Sequence, residues 1–307
     1  MASLKEIKGR IASVEGTHKI TSAMKMVASA KLHKAQVAIE NMHPYDRRLH
    51  ETMVHLITMM QQGLRKGASS ISLPLCEERV EVKRVAVVVV ASNTSLCGGY
   101  NSNVLRRLYR LLEDYRCLGA DNIDCYVVGK KLDQSLLKTP DMCHLIRDYV
   151  EVGDHPSYAT AEKLAMHLRD EFLAGRIDRV ELVYTHFKST ASQQVVHESY
   201  LPIALETDQS TNVSVSTEGY MVEPPHYIVE PSAEEVLKSI LPDVLSMKLY
   251  TMFLDAQAAE HAARTIAMQT ATDNANDLLG ELRVMYNKGR QQAITAELLD
   301  IVGGSMK

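Results

Sequence analysis

The chain has 307 residues, with 34 basic and 38 acidic side chains and a formal net charge of −4. This length allows one large domain or two of ordinary size, with a sizeable core. The near-neutral charge gives no general argument for nucleic-acid or membrane binding. No apolar run is long enough to span a bilayer, and residues 1–10 lack the apolar core of a secretory signal, so we expect neither feature.

Aromatic residues are scarce and unevenly placed. The chain has 13 Tyr, 3 Phe and no Trp, and residues 76–230 hold ten of the Tyr and two of the Phe. The same stretch holds only three of the 15 Met. A compact core normally takes its bulk from aromatic side chains. The composition therefore predicts two differently built parts, of which the aromatic-poor one is divided between the two ends of the chain.

The first part predicts an amphipathic helix from Leu4 to about Met60. Residues 17–43 contain neither Gly nor Pro, and apolar or small side chains recur at alternating spacings of three and four residues. This spacing is a heptad seam. Its members are Leu4, Ile7, Ile11, Val14, Ala28, Leu32, Ala35, Ile39 and Met42.

Two features of this helix depart from a regular seam. Polar His18, Thr21 and Lys25 occupy the seam positions between its two apolar halves. Pro44 lacks the backbone N–H that a helix interior uses, so we expect it to interrupt or kink the helix, which Val54–Met60 can resume.

The middle of the chain predicts strands that alternate with helices. Val85–Val90 is a continuous, mostly β-branched run, which is typical of a strand buried on both faces. Cys125–Gly129 and Val180–Phe187 predict two more strands, and Gln193–Leu201 is expected to pair with the latter as a hairpin. The predicted helices between the strands are 101–115, 131–138 and 158–173. This alternation predicts an α/β sheet domain.

The last part predicts a second long helix. Ser232 and Glu235 form a capping-box start, and Asp243–Leu279 runs for 37 residues without Gly or Pro, about 55 Å of helix. Gly303–Gly304 is the expected stop. The predicted seam is Leu245, Leu249, Met252, Ala256, Ala259, Ala263 and Ile266, and after a shift of phase Leu278, Leu282, Met285 and Leu299.

Neither terminal helix can bury its apolar stripe alone, so we expect the two to pair. The predicted fold class is α+α/β. Residues 1–75 and 231–307 form a long antiparallel coiled coil, and residues 76–230 form a central Rossmann-like α/β domain.

One loop has the composition of a ligand-binding turn. It follows the first predicted strand and consists of Ser95, Leu96, Cys97, Gly98 and Gly99, followed by Tyr100 and Asn101. Gly-rich turns between a strand and a helix can bind phosphate through backbone N–H groups. The dinucleotide and P-loop patterns are both absent, however, and no nearby residue is an evident base for Cys97. The sequence therefore favours a tight turn over a nucleotide site or a nucleophile.

No other constellation indicates catalysis or a metal site. The five Cys have no CxxC spacing, and the 12 His show no paired ligand spacing, so we expect reduced thiols, no metal and no cofactor. Residues 1–34 carry seven Lys and Arg against two Glu. This basic face is either simply solvated or faces acidic loops of a partner protein. No aromatic residues are interleaved with it to support nucleic-acid binding.

Several long motifs resemble one family. Residues 7–11 and His18–Ala28 resemble the N-terminal signature of the gamma subunit of F-type ATP synthase, and Ser95–Asn101 matches its SLCGG motif. Residues 267–275 and Tyr286–Lys288 match its C-terminal helix, as do 290–304. The resemblance covers essentially the whole chain in the right order.

The resemblance implies a central rotor shaft that is not itself catalytic. The partners it implies are the alpha and beta subunits in an alpha3beta3 ring, the epsilon subunit and the membrane ring of c subunits, with no nucleic acid. Ion flow, of H⁺ or Na⁺, would turn the shaft and change the affinities of the beta sites, where ATP forms. A bacterial chain would lie on the cytoplasmic side of the cell inner membrane as a peripheral protein, associated with the membrane only indirectly.

The resemblance also implies contact residues. Met24 and Lys25 match positions that meet the acidic lever region of the beta subunit, and Arg290, Gln291 and Thr295 match positions that contact a beta-subunit loop. The loop Ser95–Gly99 is assigned to the side of epsilon and the c ring. Four residues depart from the usual pattern of the family, namely Asp243, Ser246, Lys248 and Gly289.

Two alternatives remain open from the sequence. The loop Ser95–Asn101 would also suit a nucleotide-binding α/β enzyme with a coiled-coil arm. The paired terminal helices would also suit a coiled-coil scaffold that has no motor.

Overall fold

The first and last helices dominate the architecture. A computed structural model describes residues 3–65, 73–79, 81–203 and 229–305. Helix α1 covers Leu4–Arg65 with 62 residues, and α5 covers Ala233–Ser305 with 73 residues. At 1.5 Å per residue these helices are about 90 Å and about 110 Å long. Both exceed the expected lengths because neither is interrupted.

The two helices pair in antiparallel orientation. Thr21 contacts Thr272, Glu15 contacts Arg283 and Leu4 contacts Gly289, so numbers rise along one helix as they fall along the other. Leu32 and Ala35 of α1 pack against Ala258 and Ala262 of α5, and all four are buried. Small side chains allow the two backbones to approach closely. The predicted antiparallel coiled coil is confirmed.

Helix α1 is not interrupted at Pro44, and the stop predicted at Gly303–Gly304 lies next to Ser305, the last described residue of α5. Pro44 is exposed, so its lost hydrogen bond lies on the solvent side of the helix. Packing of the flanking turns against α5 outweighs the proline penalty of about 3 kcal/mol. The predicted start of α5 was correct, because Ser232 Oγ accepts a hydrogen bond from the Glu235 N–H at 3.2 Å.

The seam predicted on α5 was partly wrong. Leu245, Leu249, Met252 and Ala256 belong to the main core of the α/β domain, which also takes in three side chains of α1 near its end. Past the domain, Ile266, Leu278, Met285 and Leu299 of the predicted seam are exposed. Leu282 of the predicted seam is buried, together with Met268, Thr272, Ala275 and Leu279, which were not predicted. Helix α5 carries two apolar stripes, and the sequence pattern had merged them into one.

The central domain contains a five-stranded sheet of order β3-β2-β1-β4-β5. Its strands are β1 Val85–Val90, β2 Ile123–Val128, β3 His144–Ile146, β4 Arg179–Phe187 and β5 Gln193–Leu201. The first four are parallel, and β5 pairs antiparallel with β4 as the predicted hairpin. Strand β3 was not predicted, because three residues are too few to show a pattern.

Helices cover both faces of this sheet. Helix α2 covers Tyr100–Asp114 and α3 covers Lys130–Leu136, and both pack on the face that holds Val85, Val87 and Val89. Helix α4, Tyr158–Leu173, packs with α5 on the opposite face. Strand β1 is therefore buried on both sides, as its composition predicts. Because α5 forms part of one helical layer, the central domain and the coiled coil share a core.

Candidate functional site

The loop between β1 and α2 is a tight turn held by its own side chains. Leu96 and Gly98 adopt left-handed backbone conformations, with φ of 67° and 59°. Asn101 Oδ1 accepts a hydrogen bond from the Ser92 N–H at 3.1 Å, and Asn101 Nδ2 lies 2.7 Å from Ser92 Oγ. These contacts close the loop between the end of the strand and the first turn of the helix. The structure thus supports the tight-turn interpretation.

Cys97 lies in an environment that does not activate a thiol. Its side chain is 2% exposed, and Sγ lies 3.3 Å from Asn101 Nδ2 and 3.6 Å from Ser92 Oγ. Neither neighbour is a base, so the arrangement lacks the proton acceptor that a nucleophilic cysteine needs.

The same loop packs against the shaft. A Cβ atom at Gly98 would lie 3.7 Å from Ala267 Cβ, and Tyr100 Oη donates a hydrogen bond to the Ala256 carbonyl at 3.1 Å. A cavity of about 270 Å³ lies between the loop and α5, lined by neutral side chains and by the backbone of Gly98 and Gly99. A phosphate group would find no basic side chain among these lining residues.

The predicted contact residues lie at two different positions along the axis of the helix pair. Met24 and Lys25 are half-buried near the Thr21–Thr272 contact, whereas Arg290 and Gln291 are exposed next to Gly289. From Thr272 to Gly289 the helix rises by about 26 Å. Thr295 Oγ1 donates to the Gln291 carbonyl at 2.9 Å. The structure therefore does not bring Met24 and Lys25 together with Arg290, Gln291 and Thr295 in one site.

Apolar side chains surround the first of these groups. Ile20, Met26 and Val27 are 62%, 68% and 57% exposed. Exposed apolar side chains grouped on one helix indicate a surface that contacts another protein.

Gly289 has a packing role within the chain. A Cβ atom at this position would lie 3.2 Å from Leu4 Cδ2, which is tighter than ordinary van der Waals contact. The missing side chain lets the first turn of α1 approach α5.

Two of the other departures also have internal partners. Ser246 Oγ donates to the Pro242 carbonyl at 2.9 Å and is buried. Lys248 Nζ lies 3.4 Å from the Ser199 carbonyl and 3.7 Å from Glu198. These side chains connect turns within α5 or connect α5 to β5.

Charged residues that sequence reasoning missed lie where α5 meets the central domain. Arg264 bonds Glu260 at 2.8 Å and Thr94 Oγ1 at 2.8 Å, and both charged side chains are almost fully buried. Burial raises the pKa of Glu260, which Arg264 opposes. Burial together with the nearby Arg264 and Lys31 charges lowers the pKa of His261 to about 4. The sequence did contain a signal for these buried charges, namely ionisable residues within an alanine-rich stretch of α5.

Asp255 is another charged residue of α5 that contacts the central domain. Its Oδ1 accepts the Phe187 N–H at 2.9 Å, and its Oδ2 lies 2.5 Å from His186 Nδ1. Burial raises the pKa of Asp255, and the contacts with His186 and Phe187 oppose that shift.

Within the described ranges, no helix is long and apolar enough to cross a membrane. The same residues include no group of three or more His, Cys, Asp or Glu side chains that could hold a metal ion.

The architecture defines a class of protein. Two terminal helices wound into one antiparallel shaft, with a small α/β domain fixed to it, make an elongated, shaft-like chain. Residues 3–306 match the family model described as ATP synthase. The chain belongs to the family of ATP synthase gamma chains. This confirms the family that the motifs predict.

Relatives and solved structures agree with this assignment. The chain is 54% identical to the ATP synthase gamma chain of Phocaeicola vulgatus and 51% identical to that of Bacteroides fragilis, over the full length of each chain. Its fold is similar to a rotor chain of the Euglena gracilis mitochondrial ATP synthase, with a TM-score of 0.61 and 17% identity. That match covers 95% of this chain and 98% of the other.

Proposed function

We propose that the chain works as a non-catalytic drive shaft. It turns inside a ring of alpha and beta subunits and carries rotation between their nucleotide sites and a membrane ring of c subunits, with epsilon bound beside its α/β domain. The observation that best supports this proposal is the pairing of two unbroken helices, about 90 Å and about 110 Å long, that share a core with that domain. A slender, continuous pair of helices can pass through a ring and transmit torque.

The proposed roles of the two parts of the chain follow the predicted domains. Residues 1–75 and 231–307 form the shaft, and residues 76–230 form a foot directed toward epsilon and the c ring, with Ser95–Gly99 on that side. Met24 and Lys25 meet the acidic lever of the beta subunit, and the exposed Ile20, Met26 and Val27 beside them support a protein contact there.

Arg290, Gln291 and Thr295 form a second contact with a beta-subunit loop. Arg290 and Gln291 are exposed, which leaves their side chains accessible to a partner. We also propose that the assembled chain is peripheral to the cell inner membrane, on its cytoplasmic side, and reaches the membrane only through the c ring.

Reconstitution tests the shaft role. The full chain is mixed with cognate alpha and beta subunits, and a probe is attached through Cys117, which is exposed on the central domain. We expect a stable complex that hydrolyses ATP while the probe rotates in one direction. Failure to form such a complex would overturn the proposal.

A cross-link separates a rotor from a scaffold. A cysteine replacing Gln291 is oxidised onto a cysteine in the beta-subunit loop, and ATP turnover is measured before and after reduction. A rotor stalls and recovers on reduction, whereas a static scaffold continues unaffected. Tight nucleotide binding by the isolated chain would instead favour an α/β enzyme.

A further inference from the structure

The central domain is attached to the shaft mainly through one helix. Strands β4 and β5 and helix α4 pack against α5, and α1 packs mainly against α5 as well. Any torque that passes between the foot and the coiled coil must therefore pass largely through the contacts of α5.

Most of those contacts are apolar. Leu245, Leu249 and Met252 pack into the core of the domain. Hydrophobic burial is not directional, so the angle of α5 on the sheet depends on how its side chains interdigitate and on its polar contacts. Hydrogen bonds weaken steeply when their geometry is distorted, so they oppose a turn of the helix.

Asp255 makes a two-point polar contact of α5 with the sheet, in addition to the hydrogen bond from Tyr200 Oη of β5 to the Leu245 carbonyl at 2.9 Å. Its two oxygens contact two successive residues of β4, the His186 imidazole and the Phe187 N–H. His186 and Phe187 are the last two residues of β4, where the strand pairs with Gln194 and Gln193 of β5, so this anchor reaches the hairpin end of the sheet. The side chain of Asp255 is only 14% exposed, so water competes little for these bonds.

Arg264 makes a second anchor farther along the same helix. It bonds Thr94 Oγ1, in the loop after β1, and is held in place by Glu260. Nine residues separate Asp255 from Arg264, which is about two and a half helical turns. The two anchors therefore start from opposite sides of α5, where two lateral contacts together resist rotation about its axis.

We propose that Asp255 and Arg264 form a torque joint that fixes the α/β domain to the shaft. They are positioning residues: they act through His186, Phe187 and Thr94 and touch neither nucleotide nor ion. The inference rests on the proposed shaft function, and it names the residues at which rotation of the foot becomes rotation of the coiled coil.

Variants of Asp255 test the joint in the assembled enzyme. Asp255→Ala removes both hydrogen bonds, and Asp255→Leu removes them while keeping the site filled. Asp255→Asn keeps an acceptor for the Phe187 N–H and a polar group for His186. The matched control is Asp277→Ala, which changes an exposed acidic residue of the same helix beyond the domain.

ATP hydrolysis and ATP-driven ion pumping are measured together in inverted membrane vesicles. For Asp255→Ala and Asp255→Leu we expect hydrolysis to persist while the ions pumped per ATP fall. We also expect a probe on Cys117 to show a wider angular spread with the shaft held in the ring. Asp255→Asn and Asp277→Ala should behave like the unaltered enzyme, and adding Arg264→Gln to Asp255→Leu should deepen the loss.

Two results would overturn the joint. One is unchanged pumping per ATP and unchanged angular spread in both Asp255→Ala and Asp255→Leu. The other is failure of both variants to assemble, which would make Asp255 a requirement of the fold. If the unaltered complex itself neither rotates nor pumps, the proposed shaft function fails instead, so the two failures are distinguishable.

Discussion

Thr272 Oγ1 lies 2.9 Å from Thr21 Oγ1, and this bond joins the two terminal helices across 251 residues of chain. Both residues are 9% exposed; Thr21 Oγ1 donates to the His18 carbonyl, and the single proton of Thr272 is shared between Thr21 Oγ1 and the Met268 carbonyl. A slip of either helix would bury these hydroxyls against apolar neighbours. A single buried polar pair is an established way to fix the register of a coiled coil. The polar interruption of the α1 seam is therefore the place where the shaft is aligned.

The two hydroxyls of this pair should contribute to stability as a coupled pair. We expect Thr272→Val or Thr21→Val alone to lower the free energy of unfolding by about 1 kcal/mol, because the remaining buried hydroxyl loses a partner. The double variant should cost less than the sum of the two. Denaturant unfolding of the full chain measures this cycle, with Thr270→Val as control because Thr270 makes the same kind of intrahelical bond on the exposed face. Additive losses would show that the two threonines are not coupled.

Two glycines of α5 allow the contact with Leu4 to be measured. Nothing lies within 4 Å of a Cβ atom at Gly280, so Gly280→Ala should stabilise the chain by about 1 kcal/mol through helix propensity. Gly289→Ala has the same propensity gain but must displace Leu4, so its gain should be smaller. The difference in unfolding free energy between the two variants measures the displacement of Leu4. Equal gains would mean that Leu4 moves away freely.

His261 should make stability depend on pH. Its pKa in the folded chain is lowered to about 4 from a usual 6.5, so the unfolded chain binds a proton over this range and the folded chain does not. Stability is then fully present above pH 6.5 and is lost as the pH falls toward 4. The groups that face it are Arg264, Lys31 and Asp154.

The variant His261→Gln isolates this effect from the titration of other groups. Between pH 6.5 and 4, the unaltered chain should lose about 3 kcal/mol more stability than this variant. Denaturant unfolding at a series of pH values measures the difference, and His33→Gln, at an exposed position of α1, serves as control. Parallel pH profiles for the unaltered chain and His261→Gln would contradict the prediction.

Arg290 should affect the assembled enzyme more than the fold. Its side chain is exposed, so Arg290→Ala should leave the unfolding free energy of the chain nearly unchanged while weakening assembly or coupled ATP turnover. The matched control is Arg283→Ala, one heptad earlier, whose side chain bonds Glu15 at 3.0 Å within the chain. Loss of that exposed pair should cost at most about 1 kcal/mol of stability and little activity. Normal coupled activity of Arg290→Ala would show that Arg290 is dispensable.

The sequence by itself determined the outline of the fold. Heptad spacing marked two helices that could not bury their stripes alone, and strand–helix alternation marked the domain between them. The run Val85–Val90 was correctly assigned to a strand buried on both faces, because a continuous apolar run has no solvent side. Long motifs identified the family. Each of these signals is local or repeats along the chain. None of them depends on which other segment packs against it in the folded protein.

Only the tertiary structure decided which surfaces meet. The apolar stripe predicted as the seam of α5 largely faces the central domain, and a second stripe beside it faces α1, because one helix here packs against two neighbours. The partners that Asp255, Arg264 and Thr272 have outside α5 lie between 68 and 251 residues away along the chain. Periodicity records that a side chain is buried but not what it is buried against. The pairing of the terminal helices could therefore be predicted from the sequence. The register between the two helices and the contacts that fix the α/β domain to them could not.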